Sequence, residues 1–241
     1  MIKKNSISKT KSKTTSTNST LRSSVSSLPT PVSKKIMIFD FDGTLVDTFE
    51  IAFKCMNTLS SKYKFDMITK KELINLRDKS FKDIIKEDLK LKWYQLPFFI
   101  RDVQKIMKEE IKTVNFHPEL ISVLKKLNKT HRLFILSSNH QDIIELELRK
   151  NKLDIFEGIY SGSSLFKKDK SILKLLKIFK LNKEDCIYIG DETRDIEACK
   201  LAGVKIISVS WGFNSRKILS EYNPDYLIDK PKELLGVALR A

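Results

Sequence analysis

Asp40 and Asp42 stand two residues apart at the end of the apolar run Ile36-Met37-Ile38-Phe39, with Gly43 and Thr44 directly behind them. An extended strand sends alternate side chains to one side, so the two carboxylates converge if the backbone stays extended through Asp42. Like charges buried together are costly unless a cation or hydrogen-bond donors answer them. Gly43 allows the chain to turn sharply straight afterwards. A divalent cation and a phosphate at the carboxyl end of a buried strand would satisfy these residues together. A strand closing in a polar Asx turn is the plainer alternative.

The elements that would position these groups alternate along the chain. Ile36–Phe39 reads as a strand buried on both faces. Spaced apolar positions then predict helices over 47–61, 70–76, 80–91 and 97–113, with few strand-like runs among them. Pro118 opens a helix whose Leu120, Val123, Leu124 and Leu127 form one apolar stripe. The second strand is Leu133–Leu136, ending in Ser137-Ser138-Asn139. A helix over 141–152, a strand over 156–160 and a helix over 171–180 follow. Cys186–Ile189 then runs into Gly190-Asp191-Glu192-Thr193-Arg194-Asp195, and after one more helix come strands at 205–210 and 226–228. Strand alternating with helix predicts an α/β fold: a parallel sheet covered by helices on both faces.

Such sheets bind ligands beyond the carboxyl ends of their strands. That rule gathers Asp40, Asp42, Ser137 and Asp191, with Lys168 at a helix start between the second and later motifs. Three carboxylates, a hydroxyl and an ammonium group match the needs of phosphoryl transfer. The reaction takes a nucleophile, cations for the equatorial oxygens and a proton donor for the leaving group.

The segments DFDGTLVDT, ILSSN, SLFKKDK and IGDETRD, in that order, resemble the four motifs of the haloacid dehalogenase-like superfamily. The likeness spans residues 36–230, and the closing part, GDETRDIEACKLAGVKIISVSWGFNS, resembles the phosphoglycolate phosphatase-like branch. The resemblance implies a Rossmann-like core over 34–47 and 115–241, with a helical C1 cap over 48–114 inserted after the first strand. Only 31 positions separate Ser137 from Lys168, too few for the other cap type. It further implies Asp40 as nucleophile through an aspartyl-phosphate, and Asp42 as proton donor and then base. Mg²⁺ would be held by Asp40, the Asp42 main-chain carbonyl and Asp191. Ser137 and Lys168 would complete the catalytic set, and Ser138 and Asn139 would meet substrate.

Several of these residues have competitors. Strand register decides between Ser137 and Ser138, with Ser137 preferred. Lys167, Lys168 and Lys170 compete for the lysine role; family spacing favours Lys168, although Lys167 stands where glycine is common. Glu192 and Asp195 either reach the metal through water or orient Lys168. Asp47 reads as a helix N-terminal residue. Arg77 and Lys79 either grip a substrate anion or face solvent, and His117, His131 and His140 share no ligand spacing.

Composition bounds the remaining choices. The chain has 45 basic and 30 acidic residues, a net +15, but eight of the basic residues fall in 1–35, which holds no acid. The remainder has 37 basic against 30 acidic residues and no aromatic-interleaved basic stripe, so nucleic acid is not expected as a partner. No apolar run is long enough to cross a bilayer, and no membrane partner is expected. Residues 1–33 contain 16 Ser or Thr and are expected to be a disordered tail, either plain low-complexity sequence or similar to an organelle transit peptide. Three scattered cysteines suit a reducing compartment, so an intracellular protein is expected, of the cytoplasm or, if the tail is a transit peptide, of an organelle such as plastid or mitochondrion. The expected partner is a small phosphorylated metabolite, and the expected assembly a monomer or homodimer. Three functions fit: an Mg²⁺-dependent phosphatase, a phosphosugar mutase of beta-phosphoglucomutase type, or a non-catalytic module of this fold. Asp42 disfavours a dehalogenase, because a departing halide needs no proton.

Overall fold

The computed structural model describes residues 34–110, 115–162 and 167–240. The expected tail over 1–33, the end of the helix expected to reach 113, and residues 163–166 ahead of Lys168 lie outside them. Among the described residues six strands form one all-parallel sheet: β1 (Ile36–Phe39), β2 (Arg132–Leu136), β3 (Phe156–Tyr160), β4 (Cys186–Gly190), β5 (Lys205–Val209) and β6 (Tyr226–Ile228), in the order β3-β2-β1-β4-β5-β6. The chain winds outward from β1 through β2 to β3, then returns to the other side of β1 with β4. The strand order therefore reverses beside β1, and the crevice at such a switch point is where these sheets hold ligands.

Alternation along β1 divides the core into two apolar layers. Met37 and Phe39 face one side, packed with Leu120, Leu124 and Leu127 of α5 (Pro118–Leu127), Ile143 and Ile144 of α6 (Gln141–Lys150) and the C-terminal Leu234 and Val237. Ile36 and Ile38 face the other, against Ile172 and Leu175 of α7 (Lys168–Phe179) and Ile196 and Cys199 of α8 (Thr193–Ala202). All four β1 side chains are buried, which explains the unbroken apolar run.

Between β1 and β2 the chain is helical: α1 (Phe49–Tyr63), α2 (Lys70–Leu76), the short α3 (Phe81–Asp83) and α4 (Leu96–Glu110). These helices bury an apolar cluster of their own, including Met56, Leu59, Tyr63, Leu73, Leu76, Leu89 and Phe99. Where one helix is expected over 80–91, α3 gives way to a π turn over Ile84–Asp88, with Leu89 N–H donating to the Ile84 carbonyl at 2.9 Å. Extra residues of this kind recur near functional sites. The two connections to the sheet run side by side. Val46 pairs antiparallel with Phe116, and His117 N–H donates to the Leu45 carbonyl at 3.2 Å. Among the described residues no helix is long and apolar enough to cross a membrane.

Candidate active site

Register brings the polar strand ends level. Phe39 lies opposite both Ile135 of β2 and Ile189 of β4, so Asp40, Ser137 and Asp191 emerge together at the carboxyl edge. Asp40 N–H extends the ladder to the Ile189 carbonyl at 2.9 Å. The chain then turns tightly: Gly43, at φ +71°, donates its N–H to the Val46 carbonyl at 2.8 Å.

Asp40 is 4% exposed. One carboxylate oxygen accepts from Phe41 N–H at 2.8 Å and the other from Lys168 Nζ at 2.5 Å. Lys168 is the first residue of α7 and also pairs with Asp195 of α8. Asp195 is anchored in turn by Glu192 N–H at 3.1 Å. Burial pushes the Asp40 carboxyl up to about 6 against the opposing pull of Lys168. Among the described residues no ammonium group answers the neighbouring carboxylate, Asp42. Asn139 Nδ2 donates to both oxygens of Asp42, at 2.9 and 2.7 Å. Burial and then the Asp40 charge push Asp42 up to about 7. One carboxylate is thus held by an ammonium ion and its neighbour by a neutral amide, so two adjacent acids meet different electrostatic surroundings.

Asp191 is 1% exposed and accepts from the Thr44 hydroxyl at 2.7 Å and from Phe213 N–H at 2.7 Å. Its carboxylate fills a cradle of two glycines: a Cβ at Gly43 or at Gly212 would fall 2.2 Å from Oδ2. Asp40, Asp191 and Asp195 each place a carboxylate oxygen so that all lie within 4.8 Å of one another. Burial, followed by the charges of Glu192, Asp195 and Asp40, pushes the Asp191 carboxyl well above the usual range. Three clustered oxygen donors in that state fit a hard divalent cation, which would neutralise the repulsion.

The structure thus brings Asp40, Asp42, Asn139, Lys168, Asp191 and Asp195 together, with Ser138 and Glu192 on the wall of the adjoining cavity. Ser137 is fully buried, and its hydroxyl accepts Asn139 N–H at 3.0 Å. The Asp42 side chain lies outside that carboxylate trio. Arg77 is not among the cavity's lining residues. Its guanidinium donates to the carbonyls of Ser210, Gly212 and Phe213 at 3.0–3.2 Å and lies over the Phe49 ring. It staples the end of α2 to the loop after β5 instead of presenting a charge to substrate. Lys79 is paired with Asp88 at 2.8 Å. Asp47 accepts Phe49 N–H at 3.2 Å ahead of α1, as a helix N-terminal residue should.

Three residues escaped sequence reasoning. Thr44 orients Asp191. Asn214 ties Thr193 N–H (2.9 Å) to the Arg77 and Lys79 carbonyls (3.1 and 2.9 Å). Arg194 pairs through Nη2 with Glu192 and stands over the Phe81 ring. Its Nε and Nη1 are buried with no hydrogen-bond partner among the described residues, on the wall of the cavity that Asp42 and Asn139 also line. Its place inside the acidic run GDETRD is the signal that could have marked it.

The chain is similar to known proteins in sequence and in fold. A family model described as haloacid dehalogenase-like hydrolase matches residues 37–209. The chain is 31% identical over 201 residues to phosphoglycolate phosphatase of Synechococcus elongatus, covering 83% of this chain and 94% of that one. It is 28% identical over 214 residues to pyrophosphatase PpaX of Bacillus mycoides, covering 85% and 96%. Among solved structures, a predicted phosphatase from Clostridium acetobutylicum superposes with a TM-score of 0.74 at 20% identity, over 86% of this chain and 99% of that one. A haloacid dehalogenase-like family protein from Streptococcus pneumoniae gives 0.68 at 24%, over 85% and 98%.

Proposed function

The chain belongs to the haloacid dehalogenase-like hydrolases, and we propose that it is an Mg²⁺-dependent phosphatase of small phosphomonoesters acting through Asp40. The observation that carries this reading is the contrast between Asp40, held by Lys168, and Asp42, held by Asn139.

An Asp40 carboxylate oxygen attacks phosphorus in line, the new O–P bond forms, and the bond to the leaving oxygen breaks. Asp42 gives its proton to that oxygen. Water then attacks the aspartyl-phosphate, Asp42 takes the water's proton, and the acyl-phosphate O–P bond breaks to release phosphate and restore Asp40. Lys168, set between Asp40 and Asp195, fixes the carboxylate and balances charge at the phosphoryl group. Ser137 and Ser138 offer hydroxyls at the same strand end. Mg²⁺ held by Asp40, the Asp42 carbonyl and Asp191, with Asp195 beside them, would let a dianionic ester approach a carboxylate. Residues 48–114 act as a cap, a reading supported by their separate apolar cluster and by the adjacent linkers Leu45–Asp47 and Asn115–His117.

The two relatives are named for phosphoglycolate and pyrophosphate hydrolysis. What those activities share is phosphoryl chemistry, and this is the part carried to the present chain. Phosphate release from a panel of monoesters, with Mg²⁺ and with excess EDTA, tests it. Mg²⁺-dependent turnover is expected, and turnover that persists unchanged in EDTA would overturn the metal's role.

A further inference from the structure

A cavity of about 150 Å³ opens from the strand ends into the helices of the 48–114 segment. Its floor carries Asp42, Asn139 and Arg194. Its far wall is built from α1, the π turn and α4, through Met56, Ile85, Phe99, Val103 and Met107. Among the lining residues on these helices only Gln104 is polar, and none is charged. That absence stands out in a chain of which 31% is charged. We infer that the group leaving from phosphorus is apolar, an alkyl or aryl alcohol of about five or six carbons.

The inference rests on the phosphatase reading and deepens it. Asp42 and Asn139 line this cavity, so a substrate whose leaving oxygen faces Asp42 has room there for its remaining atoms. A carboxylate or second phosphate carried to the far wall, beyond Arg194 and Asn139 on the floor, would lose its water among Met56, Ile85 and Val103 with only the Gln104 amide of that wall to answer it. A hydrocarbon group instead gains contact along the whole wall. In another protein an engineered apolar cavity of about the same volume holds benzene, which sets the size limit. Ile84 and Ile85, both in the π turn, lie together on the lining.

The test is a homologous series of primary alkyl phosphates, methyl to octyl, assayed on the full chain with Mg²⁺ beside 2-phosphoglycolate and pyrophosphate. The simple alcohols leave with similar acidity, so differences report on the cavity. kcat/KM should rise about fourfold per methylene to about five or six carbons and then fall, with 2-phosphoglycolate about 10²-fold below propyl phosphate. Ala52→Leu on α1 and Val103→Phe on α4, both filling the cavity, should move the optimum to shorter chains. A flat series, a preference for 2-phosphoglycolate or pyrophosphate, or an optimum unmoved in both variants would overturn the inference while leaving the phosphatase reading intact. Failure to hydrolyse any of these compounds would overturn both.

Discussion

Asn139 and Asp42 are 97 residues apart in sequence, yet one amide nitrogen reaches both carboxylate oxygens, at 2.9 and 2.7 Å. The contact joins the end of β2 to the end of β1 and fixes where the Asp42 proton would be delivered. Asn139→Ala should lower kcat for an alkyl phosphate about 10- to 100-fold, less than the loss of the acid itself. Nitrophenyl phosphate, whose leaving group needs no proton, should be affected least. An equal loss on both substrates would show that Asn139 supports structure, not proton transfer.

Arg194 should act on binding. With Nε and Nη1 buried and unpartnered beside the cavity floor, it is placed to receive phosphoryl oxygens. Arg194→Gln should raise KM about 10- to 100-fold with a smaller change in kcat. Inorganic phosphate should lose inhibitory strength in parallel, and an unchanged phosphate inhibition constant would contradict that role.

The Asp191 cradle yields a metal prediction. A methyl group at Gly212 would meet the Asp191 carboxylate at 2.2 Å and its Cβ at 2.4 Å, so Gly212→Ala must displace the side chain. Mg²⁺ should raise the Tm of the parent protein and fail to raise that of the variant. The Mg²⁺ concentration for half-maximal activity should rise about tenfold or more. A variant with normal Mg²⁺ response in both assays would remove Asp191 from the metal site.

Much of this site was legible because β1 is buried on both faces, which makes its apolar run and the sudden Asp40-Phe41-Asp42 easy to see. What was not legible lies in long-range packing. Lys167 and Lys168 are adjacent and chemically alike, and only α7, which begins at Lys168 and not at 171, buries one and exposes the other. Arg77 reads as a free cation at a helix end, but its partners are main-chain carbonyls of Ser210, Gly212 and Phe213, which carry no sequence signature. The π turn was hidden for a similar reason: one extra residue in a helix leaves the apolar spacing of Ile84, Ile85 and Leu89 nearly unchanged.

Acid should weaken the helical segment through Asp102 of α4. Lys62 first and Tyr63 second hold its carboxyl below the ordinary value, at 2.5 and 2.6 Å. A lowered folded-state pKa contributes stability above the unfolded value, and that contribution is lost as pH falls through the folded one. Asp102→Asn should therefore cost about 1 kcal/mol near neutral pH, kept small because Lys62 is exposed. Urea melts should show the difference shrinking below about pH 4. A difference independent of pH would assign the effect to packing.

The central claim is that Asp40 carries the phosphoryl group, and rapid acid quench with an alkyl ester labelled in its phosphate examines it directly. The unaltered protein should yield a labelled species that survives acid, releases phosphate on hydroxylamine treatment, and maps to Asp40. Asp42→Asn, which keeps the main-chain carbonyl and the nucleophile, should label from nitrophenyl phosphate and release phosphate slowly. Asp40→Asn should neither label nor turn over. Labelling of the Asp40→Asn protein, or turnover by it at the normal rate, would contradict the mechanism.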